Sequence, residues 1–467
     1  MAERFDIAIL GGGMGGYPAA IRAAQLGLRA VLVEEDKVGG TCLHRGCIPA
    51  KALLQSAALL DELGHAAAFG VTTGEVSFDY AVAGGRRDSV VSQLHKGVQF
   101  LLRKNKVTLL SGRGRLAGAG RLSVVAGTGE TTDVEADAVI IATGSRPKQL
   151  PGIPADGIAV LTSDEALKMN RAPGSAIVLG AGAVGVEFAS LYRSCGAEVT
   201  VVEMLPNLVP LEDAEVGAEL RKQFEARGIT CLVEHRLDLG SVERTDGGVT
   251  VTVAGPDGKA QRLSAELLLV AVGRAANIED IGIEGTGIVV ERGVIAVDGM
   301  LRTGETGVSA VGDVVGGFQL AHKALHEGVV AVEAIAGRDP HPLDPRLVTR
   351  TTYCTPQIGS LGLSEAEARA AGHDVVIGKM PFVGNGRAVI WGDTGGFCKV
   401  VADRTSGDVL GVHLIGHEVT ELIWGPALGG LLEGTAFEMG HAVAPHPTLS
   451  EVLSEAALAV SGEAIHI

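Results

Sequence analysis

At 467 residues the chain is too long for one ordinary hydrophobic core, so two to four domains are expected. Its 67 glycines and 3% aromatic content point to tight turns and close backbone approaches rather than a large aromatic core. A formal net charge of −16 without a Lys/Arg run argues against a nucleic-acid partner, and no run of 18 apolar residues argues for a membrane span. Six scattered cysteines and a first strand pattern without a preceding basic and apolar leader suggest a reducing cytoplasm, where a disulfide is catalytic rather than structural.

Residues 5–10 predict a short apolar strand, which runs directly into Gly11-Gly12-Gly13-Met14-Gly15-Gly16 and a helical stretch from Pro18 to Leu26. A second strand, Ala30–Val33, ends in Glu34, 23 residues after Gly11. A Gly-x-Gly-x-x-Gly run alone is weak in a chain this rich in glycine. With strand, helix and acid in register it reads as a dinucleotide site, the pyrophosphate at the helix N-terminus and the acid on a ribose hydroxyl.

Residues 39–53 follow, with Cys42 and Cys47 five positions apart. That separation matches neither a zinc CxxC pair nor a thioredoxin-type motif. Pro49 predicts a helix start, placing Cys47 against the positive end of a helix dipole, where a thiol becomes a usable thiolate. Two readings stand at this point: a small redox disulfide at a helix entrance, or two unrelated buried thiols.

Helix is predicted to about Leu63 and again from about Phe78 to Lys104, with strands near 107–110 and 122–125. Asp137–Ser145 is a buried strand running into a small-residue turn, and Pro147–Pro154 reads as a linker. The first pattern then repeats. Ala176–Leu179 leads into Gly180-Ala181-Gly182-Ala183-Val184-Gly185 and a helix containing Glu187, and Glu198–Val202 ends in Glu203, again 23 residues after the first glycine. Leu267–Gly273 echoes Ala138–Gly144. Two dinucleotide sites in one chain imply electron transfer between two nucleotides. No Lys or Arg occupies Met204–Leu208, so a ribose 2′-phosphate would meet the Glu203 carboxylate uncompensated, and the second site is expected to prefer NAD.

Val308–Asp313 is a further buried strand ending in Gly-Asp, where an N-cap or a simple turn residue is the ordinary reading of Asp313, and Leu320–Lys323 opens a helix. From about Leu347 strands such as 396–401 and 409–415 precede a helical region, 420–435, a mixture common in subunit-interface domains. Near the tail, His446 stands five residues before Glu451, a carboxylate able to orient one ring nitrogen while the other takes a proton. On its own that pairing is weak, because a histidine beside a turn is more often an ordinary surface or capped residue.

Together the segment 39–53, both Gly-x-Gly-x-x-Gly units, Ala142-Thr143-Gly144, Val311-Gly312-Asp313, Asn385-Gly386-Arg387-Ala388 and His446–Glu451 resemble the flavin-dependent pyridine nucleotide-disulfide reductases over essentially the whole chain. The resemblance implies an α/β fold of two Rossmann-like dinucleotide-binding domains plus a C-terminal α+β dimerisation domain. Its expected segments are 1–148 for FAD, 149–275 for NAD, 276–346 as a central domain completing the FAD site and 347–467 as the interface domain. FAD is expected on Gly11, Gly13, Gly16 and Glu34, with Gly114, Thr143 and Gly144 nearby and Asp313 and Ala321 along the ribityl chain and ring. NAD is expected on Gly180, Gly182, Gly185 and Glu203, with Gly273 close by. By the same resemblance Cys47 lies against the flavin, Cys42 exchanges disulfides with a dithiol substrate, and Lys51 sits near the reactive flavin nitrogen paired with Glu187. His446, oriented by Glu451, is then the general base, supplied by the other subunit of an obligate homodimer. No metal is implied.

Within the family the resemblance leans to oxidation of protein-bound dihydrolipoamide by NAD+, with the lipoyl domain and acyltransferase subunit of a 2-oxoacid dehydrogenase or glycine-cleavage complex as partners. A mercuric reductase would carry a vicinal cysteine pair near its end, where this chain reads Gly-Glu-Ala-Ile-His-Ile; glutathione-type reductases prefer NADPH; a soluble transhydrogenase lacks the cysteine pair. A redox-silent FAD scaffold is the reading from a different class, and joint retention of Cys42, Cys47, Lys51, His446 and Glu451 weighs against it. Pro445, His417 and Gln357 depart from the commonest family pattern, at positions given no catalytic role.

Overall fold

A computed structural model describes residues 4–118 and 120–467. It separates into two compact units, one built from residues up to Ala52 with Val82–Lys148 and Arg274–Leu343, the other from Leu53–Ala81, Gln149–Gly273 and Asp344–Ile467.

In the first unit the strands 108–111, 30–34, 4–10 and 131–141 lie side by side in parallel, with 308–310 added in parallel beyond 131–141. Ile7 stands opposite Ala30 and Ala138, and Leu10 opposite Val33 and Ile141. Such a sheet is covered on both faces, which explains strands that are apolar at consecutive positions. Ile7 and Ile9 pack into one core with Ala19, Ala23 and Leu32, and Ala8 and Leu10 into another with Val31, Leu122 and Val139. An antiparallel ribbon, 113–116 and 121–125, pairs with the first half of 131–141.

The second unit repeats the plan: 229–232, 198–202, 175–179, 267–270 and 160–161 form a parallel sheet in that order. An antiparallel insert built on 248–254 and 260–265 precedes its strand 267–270. After Leu347 the chain forms a five-stranded antiparallel sheet, ordered 350–352, 357–362, 409–416, 397–403 and 375–381, whose apolar core includes Val400, Val412, Leu414, Val452 and Ala456.

Most predicted elements stand within two residues of their expected bounds. The helix expected to start at Pro49 starts at Cys47 and runs to His65, because a first turn leaves its N–H groups unpaired and so accepts proline at any of its positions. The helical stretch expected over 420–435 ends at Leu431. Glu433 adopts φ +57°, and Thr435 caps a new helix, Ala436–His441, through a capping box with Glu438. Among the described residues no helix is long and apolar enough to cross a membrane, and no group of three His, Cys, Asp or Glu is placed to hold a metal.

Candidate active site

Each nucleotide loop is fixed by the same three contacts. Gly11 adopts φ +107° and Gly180 φ +97°, and a Cβ there would lie 2.3 Å from the Ala142 carbonyl oxygen or 2.5 Å from that of Ala271. One turn on, a Cβ at Gly16 would stand 1.8 Å from the Gly11 carbonyl oxygen, and one at Gly185 1.9 Å from that of Gly180. Only glycine fits either position. The acids close both loops: Glu34 accepts the N–H of Gly12 at 2.7 Å and of Asp36 at 2.9 Å, while Glu203 accepts Ala181 N–H at 2.8 Å and Leu205 N–H at 2.9 Å. Burial drives the Glu34 carboxyl above its ordinary pKa in spite of those two N–H bonds. The loops thus form backbone cradles at helix N-termini, the arrangement a pyrophosphate requires. Gly13 and Gly182 lie on the cradles, Gly182 as the cap of the helix Ala183–Ser194.

The cysteines stand on two short-coupled helices, Gly40–Arg45 and Cys47–His65. Gly46 joins them so tightly that a Cβ would come within 3.1 Å of the Thr41 carbonyl oxygen and 3.3 Å of Cys42 Cα. That tight joint brings the side chains of Cys42 and Cys47 into hydrogen-bond range. The hydrogen bond to Cys47, burial and the neighbouring sulfur charge push the Cys42 pKa strongly upward, and the Lys51 ammonium pulls it down only in part. The upward shift favours the protonated thiol at Cys42, and Cys47 stands at the head of the long helix, where the positive end of the dipole favours a thiolate.

Around the end of strand 131–141, Thr143 donates to the Asn277 carbonyl at 2.7 Å and the Asn277 side chain donates back to the Thr143 carbonyl at 2.9 Å. Gly144, with φ +70°, follows, and Ser145 donates to Asp313 while Arg274 donates to Ser145 Oγ at 2.7 Å. Asp313 lies in a one-turn 3-10 helix, Gly312–Val315. Beneath it the Glu327 carboxylate, 5% exposed, takes the Gly312 N–H at 2.7 Å and pairs with Lys323 at 2.5 Å. Ala321 is the first residue of the helix Ala321–Ile335. Gly114 stands in the ribbon strand, where a Cβ would strike Leu10 and Val33 at 2.6 and 2.8 Å.

In the second unit Glu187 accepts the Tyr353 N–H at 2.9 Å, and Gly273, with φ +101°, ends the turn after strand 267–270. His446 Nδ1 and Glu451 Oε1 are 2.8 Å apart, and the second Glu451 oxygen takes the Thr448 N–H at 2.8 Å. Burial would raise the Glu451 pKa, but the His446 and Thr448 hydrogen bonds prevail and hold it below the ordinary value. The buried Asn385 fastens this turn, donating to the Thr448 carbonyl at 3.0 Å. The His446 side chain is 79% exposed on its own chain, leaving Nε2 open to a reactant.

Residues 5–328 match the pyridine nucleotide-disulphide oxidoreductase family and residues 348–457 its dimerisation domain. The chain belongs to the pyridine nucleotide-disulphide oxidoreductases. It is 47% identical to dihydrolipoyl dehydrogenases of Bacillus subtilis and Zymomonas mobilis, over 100% of this chain and of each relative. Its fold matches the crystal structure of LpdA from Mycobacterium tuberculosis with a TM-score of 0.89 at 30% identity, covering 98% of this chain and 99% of that one. The HOCl-induced flavoprotein disulfide reductase RclA of Escherichia coli matches with a TM-score of 0.85 at 25% identity, covering 97% and 99%. Family membership carries the FAD and NAD cofactors and the homodimer of its dimerisation domain.

The structure gathers Gly11, Gly13, Gly16, Glu34, Cys42, Cys47, Lys51, Gly114, Thr143, Gly144, Asp313 and Ala321 into the first unit. Gly180, Gly182, Gly185, Glu187, Glu203, Gly273, His446 and Glu451 fall in the second. Sequence reading missed Gly12, Ala181, Arg274, Asn277, Lys323 and Glu327. Only Lys323 and Glu327 carried a local signal, an opposite-charge pair four apart on a helix.

Proposed function

We propose that the chain oxidises dihydrolipoamide to lipoamide and reduces NAD+ to NADH, using a Cys42–Cys47 disulfide. The observation that carries this reading is the thiol pair held by Gly46 at the head of the Cys47–His65 helix, with the Lys51 charge acting on it.

His446 Nε2, its ring oriented by Glu451, takes the proton from one substrate thiol. The resulting thiolate attacks Cys42 Sγ, the Cys42–Cys47 bond breaks, and Cys47 leaves as thiolate. The second substrate thiol, deprotonated in turn, displaces Cys42 from the mixed disulfide, closing lipoamide. Cys42 keeps a proton, consistent with its raised pKa. Bound FAD supplies the chemistry that takes the electron pair from the thiols and passes it on as hydride to NAD+. The residues that would hold it are Gly11, Gly13, Gly16 and Glu34 at the pyrophosphate and adenosine ribose, Gly114, Thr143 and Gly144 nearby, and Asp313, Ala321 and Lys51 toward the ring. Gly180, Gly182, Gly185 and Gly273 would seat NAD+, Glu203 would take its ribose hydroxyls, and Glu187 would serve Lys51. In sum, dihydrolipoamide and NAD+ give lipoamide, NADH and one proton.

In this reading segments 1–148 and 276–346 serve FAD, 149–275 serves NAD, and 347–467 forms the dimer and lends His446 across its two-fold axis. The physiological dithiol is a lipoyl domain in the cytoplasm, and the acyltransferase subunit docks near that axis. An anaerobic titration of the yellow holoprotein with dihydrolipoamide, followed by NAD+, tests the core of this. Long-wavelength absorption that NAD+ discharges with NADH formation is expected; flavin left unreduced by the dithiol overturns the substrate assignment.

A further inference from the structure

Beyond Glu203 the chain borders the second cradle before it enters the helix Ala214–Ala226. Two hydrogen bonds fasten this segment to the cradle: Glu203 takes the Leu205 N–H, and Val209 N–H donates to the Ala181 carbonyl, each at 2.9 Å. Val209 stands at φ +44°, a left-handed conformation that a β-branched residue keeps only where its surroundings impose it. The far end of the segment, Glu212 and Asp213, is held by charge.

Asp213 caps the helix, taking the Glu215 N–H at 3.0 Å, and its two oxygens meet Lys399 Nζ at 3.1 and 3.3 Å. Lys399, in strand 397–403 and 1% exposed, donates further to Glu215 at 2.6 Å and to Glu365 at 2.8 Å. Burial would lower the Lys399 pKa, but the carboxylates prevail and raise it, so the buried side chain stays charged. Lys379 pairs with the other Glu215 oxygen at the more exposed rim. Next to Asp213, Glu212 faces Arg350 of strand 350–352 at 3.3 Å, both side chains buried, and Arg350 Nη1 also donates to the Gly362 carbonyl at 3.3 Å. Burial pushes the Glu212 pKa up, and the Arg350 charge opposes that rise. His413 adds no cation: burial pulls its pKa down to about 4, and its Nε2 is bonded to the Leu363 carbonyl at 2.9 Å. Every residue of this network lies in the second unit.

We propose that Lys399 and Arg350 are positioning residues for NAD, holding the segment 204–213 through Asp213 and Glu212, and with it the Glu203 carboxylate and the Ala181 backbone. The inference rests on the reading that seats NAD on this cradle. Buried ion pairs stabilise little more than apolar packing of like volume, so stability alone does not account for these residues. Removing one partner leaves the other an uncompensated charge that only movement of its backbone can rehydrate. Here that backbone leads straight to the cradle, where ligand geometry matters at the scale of an ångström. Val400, next to Lys399, packs with Val452 in the core beside the His446 turn, so a general loosening of the sheet would reach the dithiol half-reaction as well.

Lys399→Met and Glu212→Gln, each in the FAD-loaded dimer, separate positioning from support. Titration calorimetry of the oxidised protein with NAD+ is recorded alongside rapid-mixing reduction by dihydrolipoamide without NAD+, deuterium uptake over residues 203–213 and the melting temperature. The expected result is a Kd for NAD+ weaker by roughly fivefold or more, the lower end of coupling between sites, with dithiol reduction within about twofold of the parent. Deuterium uptake over 203–213 should rise. An unchanged Kd in both variants, whatever the melting temperature does, or a Kd and a dithiol rate that worsen by one factor, overturns the proposal. Should Lys399→Met fail to fold, Glu212→Gln, which keeps the side-chain volume and one acceptor oxygen, decides by the same split. Glu203→Gln serves as the reference: NAD+ binding that it leaves unchanged would unseat NAD from this cradle and take the proposal with it. A parent that binds NAD+ but is not reduced by dihydrolipoamide would sink the substrate reading and leave the affinity and deuterium arms to decide.

Discussion

The two nucleotide loops share a backbone but differ in what covers them. In both, a segment beyond the second strand returns to the loop: Gly39 N–H meets the Gly12 carbonyl at 2.8 Å, and Val209 N–H meets the Ala181 carbonyl at 2.9 Å. In the first unit that segment is the entrance to the cysteines, and it presses so close that a Cβ at Gly40 would lie 2.5 Å from Gly13 Cα. The helix Ala321–Ile335 backs the same loop, where a Cβ at Gly328 would lie 2.4 Å from the Gly15 carbonyl oxygen. In the second unit, among the described residues, a Cβ built on Gly182 meets nothing within 4 Å beyond its own chain neighbours, and Val184 is 37% exposed. One cradle is walled in and the other faces outward. The same motif therefore suits a resident cofactor in the first case and an exchanging one in the second.

The sharpest break in that comparison comes from the cysteines, which belong to the walled cradle alone. Cys42→Ser and Cys47→Ser should each lower dihydrolipoamide turnover by more than about 10³-fold, as loss of a nucleophilic group does, while reduction by NADH through the open cradle persists. The long-wavelength band should survive Cys42→Ser and vanish in Cys47→Ser; a band in both variants would reverse the assignment of the two sulfurs.

Equivalent alanines should then part company. Gly16→Ala places a methyl 1.8 Å from a carbonyl inside the covered loop and should yield protein purified without flavin. Gly185→Ala makes the same collision at 1.9 Å but should keep its FAD and raise the KM for NAD+, by about fivefold or more for a clash on the order of 1–3 kcal/mol. Flavin content and KM measured on both variants decide; loss of flavin from Gly185→Ala would erase the distinction between the cradles.

The smallest effect concerns Glu34, whose folded pKa burial raises. The fold then holds a proton that the unfolded chain releases, so this contribution to stability is full below the ordinary carboxylate pKa and is lost as pH rises through the raised one. Glu34→Gln, uncharged throughout, should flatten the melting temperature of the apoprotein above about pH 4.5, the ordinary glutamate value. An unchanged pH profile would show that Glu34 does not titrate in that window.

What could be read from the residues was local. Both cradles are defined by strand, glycines and acid within 23 residues, and His446 and Glu451 lie five apart, so their hydrogen bond is implied by the turn between them. Cys42 and Cys47 were legible as a pair, but not that Gly46 makes the contact. Asn277 locks onto Thr143 across 134 positions, and Arg227 onto Asp61 across 166, distances at which one sequence offers no periodicity to follow. The early end of the predicted helix 420–435 was legible in principle, since Thr435 and Glu438 spell a capping box that opens a new helix.

The exposure of His446 on its own chain has a consequence for inheritance. If each reaction centre draws its sulfurs from one chain and its base from the other, two defective alleles need not add up to a defective enzyme. A chain lacking Cys42 and a chain lacking His446, made in one cell, would assemble mixed dimers in which one centre collects both faults and the other none. The unit on which selection acts at this site is then the pair of chains rather than the single polypeptide.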